Sequence, residues 1–449
     1  MSKDFREISL KILADVFSTR RWAKESIDAN IKDIDEEHRD IKKVYELVYG
    51  VLRNKNYIDF YLSLYIKKPA NDPVLQNILR MGFYQIMYMD SIPPYAAIDV
   101  SVEMTKHHVH HKTSGFVNAV LRSILREKGR GIRIKGEGKA EGKERTEYLS
   151  IKYSYEKWMV EFFLKNYKED AEKIMAAGNE KPPVFLRVNT LKTDTDGLKR
   201  DLKAQGVETQ NVKGFKNALL IVSGDPIKTP SFESGLFYVQ DLASQVLGEL
   251  VAAQKEEAIV DIGSAPGGKA AFFAMDSKGK AGIVAVERNE VRLKMMERNF
   301  VRLGITNVEV MKHDATVDIE AFHDRADKVI VDAPCSALGV IRRHPEKKWC
   351  LTEAELKEFP KLQSAILNTV SKWVKKGGEL FYSTCTLNPA ENETVIEKFL
   401  EKNDGFKLSD TVGDNAKLKA YKHGKYFRSL PGNKDNMDGF FIARLKRSK

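Results

Sequence analysis

From residue 258 onward, short apolar runs alternate with longer stretches of helical periodicity, and this alternation does most to constrain the fold. The runs 258–262, 283–287, 308–311, 328–332 and 379–383 are each followed by turn residues and then by a segment long enough for a helix. Strands joined through helices run parallel, because the helix carries the chain back to the edge where the strand began. A parallel sheet needs helices on both faces, and its chemistry gathers beyond the carboxyl ends of the strands. A largely parallel sheet covered by helices on both faces is therefore expected in the second half of the chain.

The first half reads differently. Up to residue ~125 apolar residues recur at three- and four-residue steps, as in a helical bundle. Leu75, Ile78, Leu79, Gly82, Phe83, Ile86 and Met89 would line one helical face. Pro93-Pro94 interrupts the pattern, and a new helix is expected near Ala96. Residues 127–145 are almost entirely Gly, Lys, Arg and Glu, a composition that cannot bury enough surface to offset its ordering entropy. The expected organisation is a helical domain over 1–127, a charged linker over 128–146, an α/β subdomain over 147–240 and the sheet domain over 241–449.

Composition narrows the function classes. No apolar run approaches the ~20 residues of a membrane helix, and the start, Met-Ser-Lys-Asp-Phe-Arg-Glu, lacks the apolar stretch of a signal peptide. Cytoplasmic residence is the expectation. The three cysteines cannot form a disulfide framework and do not have zinc-site spacing. Lys and Arg number 74 against 63 acidic residues, a surplus of +11 that suits a polyanionic partner such as nucleic acid.

Residues 258–270, Ala-Ile-Val-Asp-Ile-Gly-Ser-Ala-Pro-Gly-Gly-Lys-Ala, form a strand, a glycine-rich turn and a helix start. Such a turn brings backbone close to a ligand and aims N–H groups at it. Glu287 ends the next strand about twenty residues further on, where a carboxylate can accept ribose hydroxyls. The turn lacks the middle glycine of a dinucleotide fingerprint. A nucleoside donor without phosphates, S-adenosylmethionine, fits better than a nicotinamide dinucleotide. Asp314, after the third strand, could receive an adenine amino group or merely serve as a helix N-cap. Asp332 ends the fourth strand beside Cys335, which favours a functional role over a cap.

Two of the cysteines lie just past strands, in Asp-Ala-Pro-Cys-Ser at 332–336 and Tyr-Ser-Thr-Cys-Thr at 382–386. Reactive cysteines need partly exposed, polarised surroundings, and strand ends supply them. A thiolate adding to C6 of cytosine makes C5 nucleophilic toward a sulfonium methyl group, and a second group could help expel the thiolate afterward. Spacing does not say which cysteine attacks. Cys350, in Lys-Lys-Trp-Cys-Leu, reads as a small buried hydrophobe.

The blocks Asp332-Ala-Pro-Cys-Ser-Ala-Leu-Gly, Arg342-Arg-His-Pro-Glu-Lys-Lys-Trp and Tyr382-Ser-Thr-Cys-Thr-Leu-Asn-Pro-Ala-Glu-Asn-Glu resemble signatures of the Nop/Sun family of RNA cytosine-C5 methyltransferases. Pro182-Pro-Val-Phe-Leu-Arg-Val-Asn, Val239-Gln-Asp-Leu-Ala-Ser-Gln and Asp438-Gly-Phe-Phe-Ile-Ala-Arg match as well. Arg39-Asp-Ile-Lys, Glu46-Leu-Val-Tyr-Gly-Val-Leu-Arg and Gly115-Phe-Val-Asn-Ala-Val-Leu-Arg resemble the NusB-like RNA-binding domain. The pairing is typical of the bacterial Sun (Fmu, RsmB) branch, which methylates small-subunit ribosomal RNA.

The resemblance implies an all-α NusB-like domain followed by a class I, Rossmann-like methyltransferase domain. It implies Cys385 as nucleophile and Cys335 as the residue aiding release, with Asp332 and Lys269 near the base. For the cofactor it implies Gly263, Ser264, Ala265, Pro266, Gly267, Gly268, Lys269, Glu287, Arg292, Asp314, Ala315 and Asp332. Gly263-Ser264 replace the family's usual Cys-Ala, a change between small residues. RNA is the expected partner, with no metal and no obligate protein partner.

A buried pocket requires an unpaired or flipped cytosine, and basic residues including Arg342-Arg343 would hold the RNA backbone. Lys106-His-His-Val-His-His-Lys has no adjacent carboxylate or cysteine, so a polar surface segment is preferred to a metal site. The rival readings are the same chemistry on transfer RNA or another RNA, a non-catalytic ribosome-assembly factor, and a nicotinamide oxidoreductase.

Overall fold

A computed structural model of the chain describes residues 4–31, 38–66, 71–128, 134–135 and 141–448. It divides into two compact units, Met1–Glu180 with Ile341–Thr352, and Lys181–Val340 with Glu353–Lys449.

The first unit is helical. Its helices Phe5–Thr19, Ala23–Asn30, His38–Ser63, Pro73–Tyr88, Pro94–His108 and Ser114–Glu127 surround a core that includes Leu47, Val51, Ile78, Phe83 and Leu121. Helix Pro73–Tyr88 starts where Asp72 accepts from the N–H groups of Val74 and Leu75, with a proline in the first turn. The seven residues expected on one face include six from this helix. Five of them, together with Met89 just beyond it, are core side chains; Gly82 is the close-approach point, where a Cβ would lie 2.7 Å from Leu121. The next helix starts at Pro94, two residues before the expected position, because proline is well suited to a first helical turn.

Of the expected linker, residues 129–133 and 136–140 lie outside the described residues. Residues 142–146 are not linker: they open helix Gly142–Lys152, where Thr146, Leu149 and Ser150 are buried. Helices Lys157–Tyr167 and Ala171–Ala177 follow within the same unit.

Segment 341–352 joins this helical unit although it lies far along the chain. Arg342, Glu346 and Lys348 are buried there. Arg53 Nη2 donates to Arg342 O at 3.1 Å, Trp349 Nε1 to Leu52 O at 2.7 Å, and Ala23 N to Glu346 Oε1 at 3.3 Å. This corrects the reading of Arg342 as a residue that holds the RNA backbone, because Arg342 is 1% exposed, whereas Arg343 is half-buried. Charge runs point outward only when their surroundings can solvate them, and here backbone carbonyls take over from water. Lys348 Nζ donates to Arg53 O at 2.9 Å, Ser154 O at 2.9 Å and Asn179 Oδ1 at 2.6 Å. Burial, with the charge of Arg53, holds its pKa well below the usual lysine range.

In the second unit, strands Glu208–Val212, Phe215–Ser223, Phe185–Val188 and Phe237–Val239 form a small antiparallel sheet in that spatial order. Helix Thr195–Ala204 packs Leu198 and Leu202 against Leu186, Leu219 and Phe237.

The main sheet has nine strands. Five are parallel and run side by side in the order Val308–Lys312, Gly282–Glu287, Ala258–Ile262, Ala326–Asp332 and Val374–Thr384. These are the five expected strands, extended by up to five residues. The order reverses at Ala258–Ile262, which is flanked by the strands that follow it on either side, so a crevice opens at its carboxyl end. The C-terminal strand Phe440–Arg447 pairs antiparallel with Val374–Thr384, and short strands 406–409, 422–423 and 426–429 complete that edge. Helices cover both faces: Phe272, Phe273, Met296 and Phe300 on one, Ile366, Val370, Ile396 and Phe399 on the other.

Replacing Lys348 with Met would leave three buried oxygens without their donor. The variant is expected to lose about 3 kcal/mol of stability, read as a lower urea midpoint at unchanged slope. A midpoint equal to wild type would show that the Lys348 network contributes nothing net.

Candidate active site

Strand Ala258–Ile262 leads into turn 263–267 and helix Gly268–Asp276. Gly263 sits at φ +70°, and a Cβ there would lie 2.6 Å from Asp332 O. Glycine thus lets the ends of two neighbouring strands approach. Gly267 is also left-handed, at φ +98°, and its N–H donates to Ser264 O at 2.7 Å. Ser264 Oγ donates to Asp261 Oδ2 at 2.6 Å. Asp261 is fully buried, and burial pushes its carboxyl up to about 7 against the pull of Ser264 and the charge of Lys269. Sequence reasoning passed over Asp261; the signal was an acid inside an otherwise apolar strand.

Glu287 ends its strand buried, and its Oε1 accepts from Asn289 N at 2.8 Å. Arg292 Nη1 stands 3.6 Å from Glu287 Oε2, and Arg292 Nη2 donates to Ala265 O at 2.7 Å. Arg292 therefore ties the strand-end carboxylate to the glycine turn, beside exposed Pro266. Asp314 is exposed, and its Oδ1 accepts from Thr316 N at 2.9 Å and Thr316 Oγ1 at 2.7 Å, which hold its carboxyl below the usual range. No helix starts at Asp314, so it is not the helix N-cap that the sequence also allowed; one of its oxygens closes a turn at Thr316 instead. Ala315 beside it is buried, and a surface recess is lined by Arg288, Asn289, Lys312, His313 and Asp314.

The two strand-end cysteines come together. Asp332 pairs with Ser383 in register, and the chains leaving the sheet there bring Cys335 Sγ and Cys385 Sγ to 3.1 Å. Both thiols are free and partly exposed. The hydrogen bond to Cys385 does most to push the Cys335 thiol up, followed by burial and the charges of Cys385 and Glu391. Lys269 Nζ donates to Asp332 Oδ2 at 2.5 Å, and Ser383 Oγ to Asp332 Oδ1 at 3.2 Å. Burial alone would lower the Lys269 pKa, but Asp332, with Asp261 and Cys385, raises it overall. Lys269 is a fixed cation at the base of the thiol pair.

Behind the thiols lies a layer that sequence reasoning quoted without assigning a role. Glu391 accepts from Ser336 N at 3.0 Å and Asn388 Nδ2 at 3.1 Å, joining the two cysteine loops. Gly339 N donates to Cys385 O at 2.9 Å, and a Cβ at Gly339 would fall 2.7 Å from that oxygen. Cys350 lies in the helical unit, packed against its core with Sγ 3.6 Å from Val16 O. In the histidine run, His108 Nε2 lies 2.7 Å from Glu7 Oε2. Among the described residues no group of three or more His, Cys, Asp or Glu side chains is placed to hold a metal ion.

Comparison with known proteins places this geometry. The family described as 16S rRNA methyltransferase RsmB/F matches residues 249–446, the NusB family matches residues 3–126, and a ferredoxin-like domain of RsmF/B-like methyltransferases matches 155–228. The chain is 30% identical to a probable ribosomal RNA small subunit methyltransferase B of a Synechocystis strain, over 99% of each chain. It is 31% identical to the probable ribosomal RNA small subunit methyltransferase B of Bacillus subtilis, over 98% of each. Among solved structures, the crystal structure of PH0851 superposes over 100% of both chains with a TM-score of 0.81 at 25% identity. With a helical NusB domain ahead of the sheet that carries the paired thiols, the chain belongs to the 16S rRNA methyltransferase RsmB/F family.

Proposed function

We propose that the protein transfers a methyl group from S-adenosylmethionine to C5 of one cytosine in small-subunit ribosomal RNA, with Cys385 as nucleophile and Cys335 assisting its departure. The observation that carries this reading is the 3.1 Å thiol pair at the ends of two neighbouring strands, beside the Lys269–Asp332 ion pair. The helical domain and the 147–240 region would bind the RNA, and the reaction would take place in the cytoplasm. No helix among the described residues is long and apolar enough to cross a membrane.

The donor set at the crevice suits the methyl donor. Glu287 is a buried strand-end carboxylate whose second oxygen meets only the long Arg292 contact, so it retains capacity for ribose hydroxyls. Turn residues Gly263, Ser264, Ala265, Pro266, Gly267 and Gly268 would border the donor. Asp314, through its outer oxygen, and Ala315 would meet the adenine. When bound, S-adenosylmethionine supplies an electrophilic methyl group on sulfonium sulfur.

The remaining work falls to side chains. The target base must leave any stack to reach the strand ends. Cys385 Sγ forms a bond to C6, and the ring electron pair moves toward C5. Asp332, steadied by Lys269 and Ser383, is placed to stabilise a proton on the ring nitrogen, which makes C6 more electrophilic. After methyl transfer the C5 proton leaves to a base, the C5–C6 double bond re-forms, and the C6–S bond breaks. The Cys335 S–H then donates to the departing Cys385 sulfur, across the 3.1 Å that separates the two sulfurs in the structure.

Incubated with RNA and donor, Cys335→Ala is expected to accumulate a protein–RNA band on a denaturing gel. Cys385→Ala should form no such band and lose at least about a thousandfold in rate. An adduct that persists in Cys385→Ala and vanishes in Cys335→Ala would reverse the assignment.

Replacement of Glu287 by Ala should weaken donor binding by about 10- to 100-fold in calorimetry, the worth of hydrogen bonds to a charged acceptor. Unchanged affinity would remove Glu287 from the donor site.

A further inference from the structure

Glu391 is completely buried behind the thiols and is positioned to touch neither the base nor the donor. Its carboxylate gathers donors from three segments. Ser336 N lies at 3.0 Å and Ser336 Oγ at 2.5 Å, Gln363 Nε2 at 2.9 Å and Asn388 Nδ2 at 3.1 Å. Thr386 Oγ1 lies 3.5 Å from the carboxylate and 2.6 Å from Ser336 Oγ. Gln363 Nε2 also donates to Pro334 O at 2.9 Å, so both chain neighbours of Cys335 are held through this one group. On the other side, Tyr382 OH donates to Glu391 O at 2.6 Å, and Thr386 follows Cys385 directly.

All these donors are neutral. A buried carboxylate without a cation is costly, and an apolar brace of the same size would stabilise the fold better. Burial raises the Glu391 pKa above the usual carboxylate value, and the converging donors from Ser336, Gln363 and Asn388 oppose that rise by favouring the charged form. That charge faces the Cys335 loop and is one of the influences that keep the proton on its sulfur.

We propose that Glu391 is a positioning residue for the release half of the reaction, locking Cys335 Sγ and its proton against the sulfur of Cys385. The inference rests on the roles given to the two cysteines above. Loss of the charge should affect bond formation at C6 less than release, since Lys269 and Asp332 stand on other contacts, while Asn388 and, at 3.5 Å, Thr386 tie the Cys385 loop to this carboxylate. Breakdown of the adduct should slow, because Cys335 would no longer be fixed as donor.

The test is a single-turnover experiment with transcribed small-subunit rRNA and labelled methyl donor, following methyl transfer and free methylated RNA separately. Glu391→Gln is expected to transfer methyl within about threefold of wild type while releasing RNA about tenfold more slowly, so that the covalent band persists. In a Cys335→Ala background the same substitution should add nothing to the release defect, because both changes remove one function. Ser336→Ala, which deletes one donor and leaves the backbone intact, should slow release in the same direction and decides the matter if Glu391→Gln does not fold. Release at the wild-type rate in both variants overturns the inference. So does equal slowing of transfer and release, or a full additional effect in the Cys335→Ala background. If Cys335→Ala itself traps no adduct, the roles of the cysteines fall and this inference falls with them. If it traps adduct and the Glu391 and Ser336 variants do not, only the role of Glu391 is lost.

Discussion

The site depends on one pairing, the parallel ladder between strands Ala326–Asp332 and Val374–Thr384. Asp332 stands opposite Ser383, so both chains leave the sheet at the same level, and Cys335 and Cys385 follow within three residues. The register is set by which side chains are apolar on which face. Val329, Val331, Leu380 and Tyr382 enter one core, while Ile330 and Phe381 enter the other. A slip of one residue would turn each of these to the wrong face and move one thiol past its partner. Hydrophobic patterning, at a distance from any chemistry, thus fixes a contact of 3.1 Å between two sulfurs. Gly339 and Gly439 complete the alignment, since their backbones pack too closely for any Cβ and bring the loop after Cys335 onto Cys385 O.

The parallel core was legible because each of its strands contains a short, mostly apolar run followed by turn residues. Those five runs survive in the structure with extended ends. The antiparallel edge was not legible as structure. Strand Phe440–Arg447 alternates too weakly to announce itself and takes its partner from sixty residues away, a choice made by the exposed edge of Val374–Thr384. Segment 341–352 defeated local reading for a related reason. Its run of Arg, His, Glu and Lys is the composition of a solvated turn, yet Lys348 finds three oxygens, one on a helix and two in turns that follow other helices, which only the fold brings together. The helix at Gly142–Lys152 was hidden by its charged first turn, where composition argues for disorder but Leu149 and Ser150 are buried.

At the site, residue types at strand ends were readable and their surroundings were not. Asp332 and Lys269 form an ion pair that no spacing in the sequence foretells, since they lie sixty-three positions apart. Asp261 escaped notice because an acid in a strand reads as a blemish on the apolar pattern. In the fold it is the buried floor under Ser264 and contributes to the field that keeps Lys269 charged.

The proposed division of labour between the thiols follows from that field more than from either motif. Pro-Cys and Thr-Cys are equivalent as local chemistry, and each ends a strand of the same ladder. Their surroundings differ. Lys269 lies on the side of Cys385, and the two interact favourably when the sulfur is negative. Cys335 has Glu391 behind it and Cys385 in front, both disfavouring a second negative charge. Negative charge on sulfur is therefore opposed at Cys335, 3.1 Å from Cys385. A single thiol would have to be a good nucleophile at the start and a good leaving group at the end. Two thiols in unequal fields divide that demand, one carrying the negative charge and the other the proton that meets it on departure.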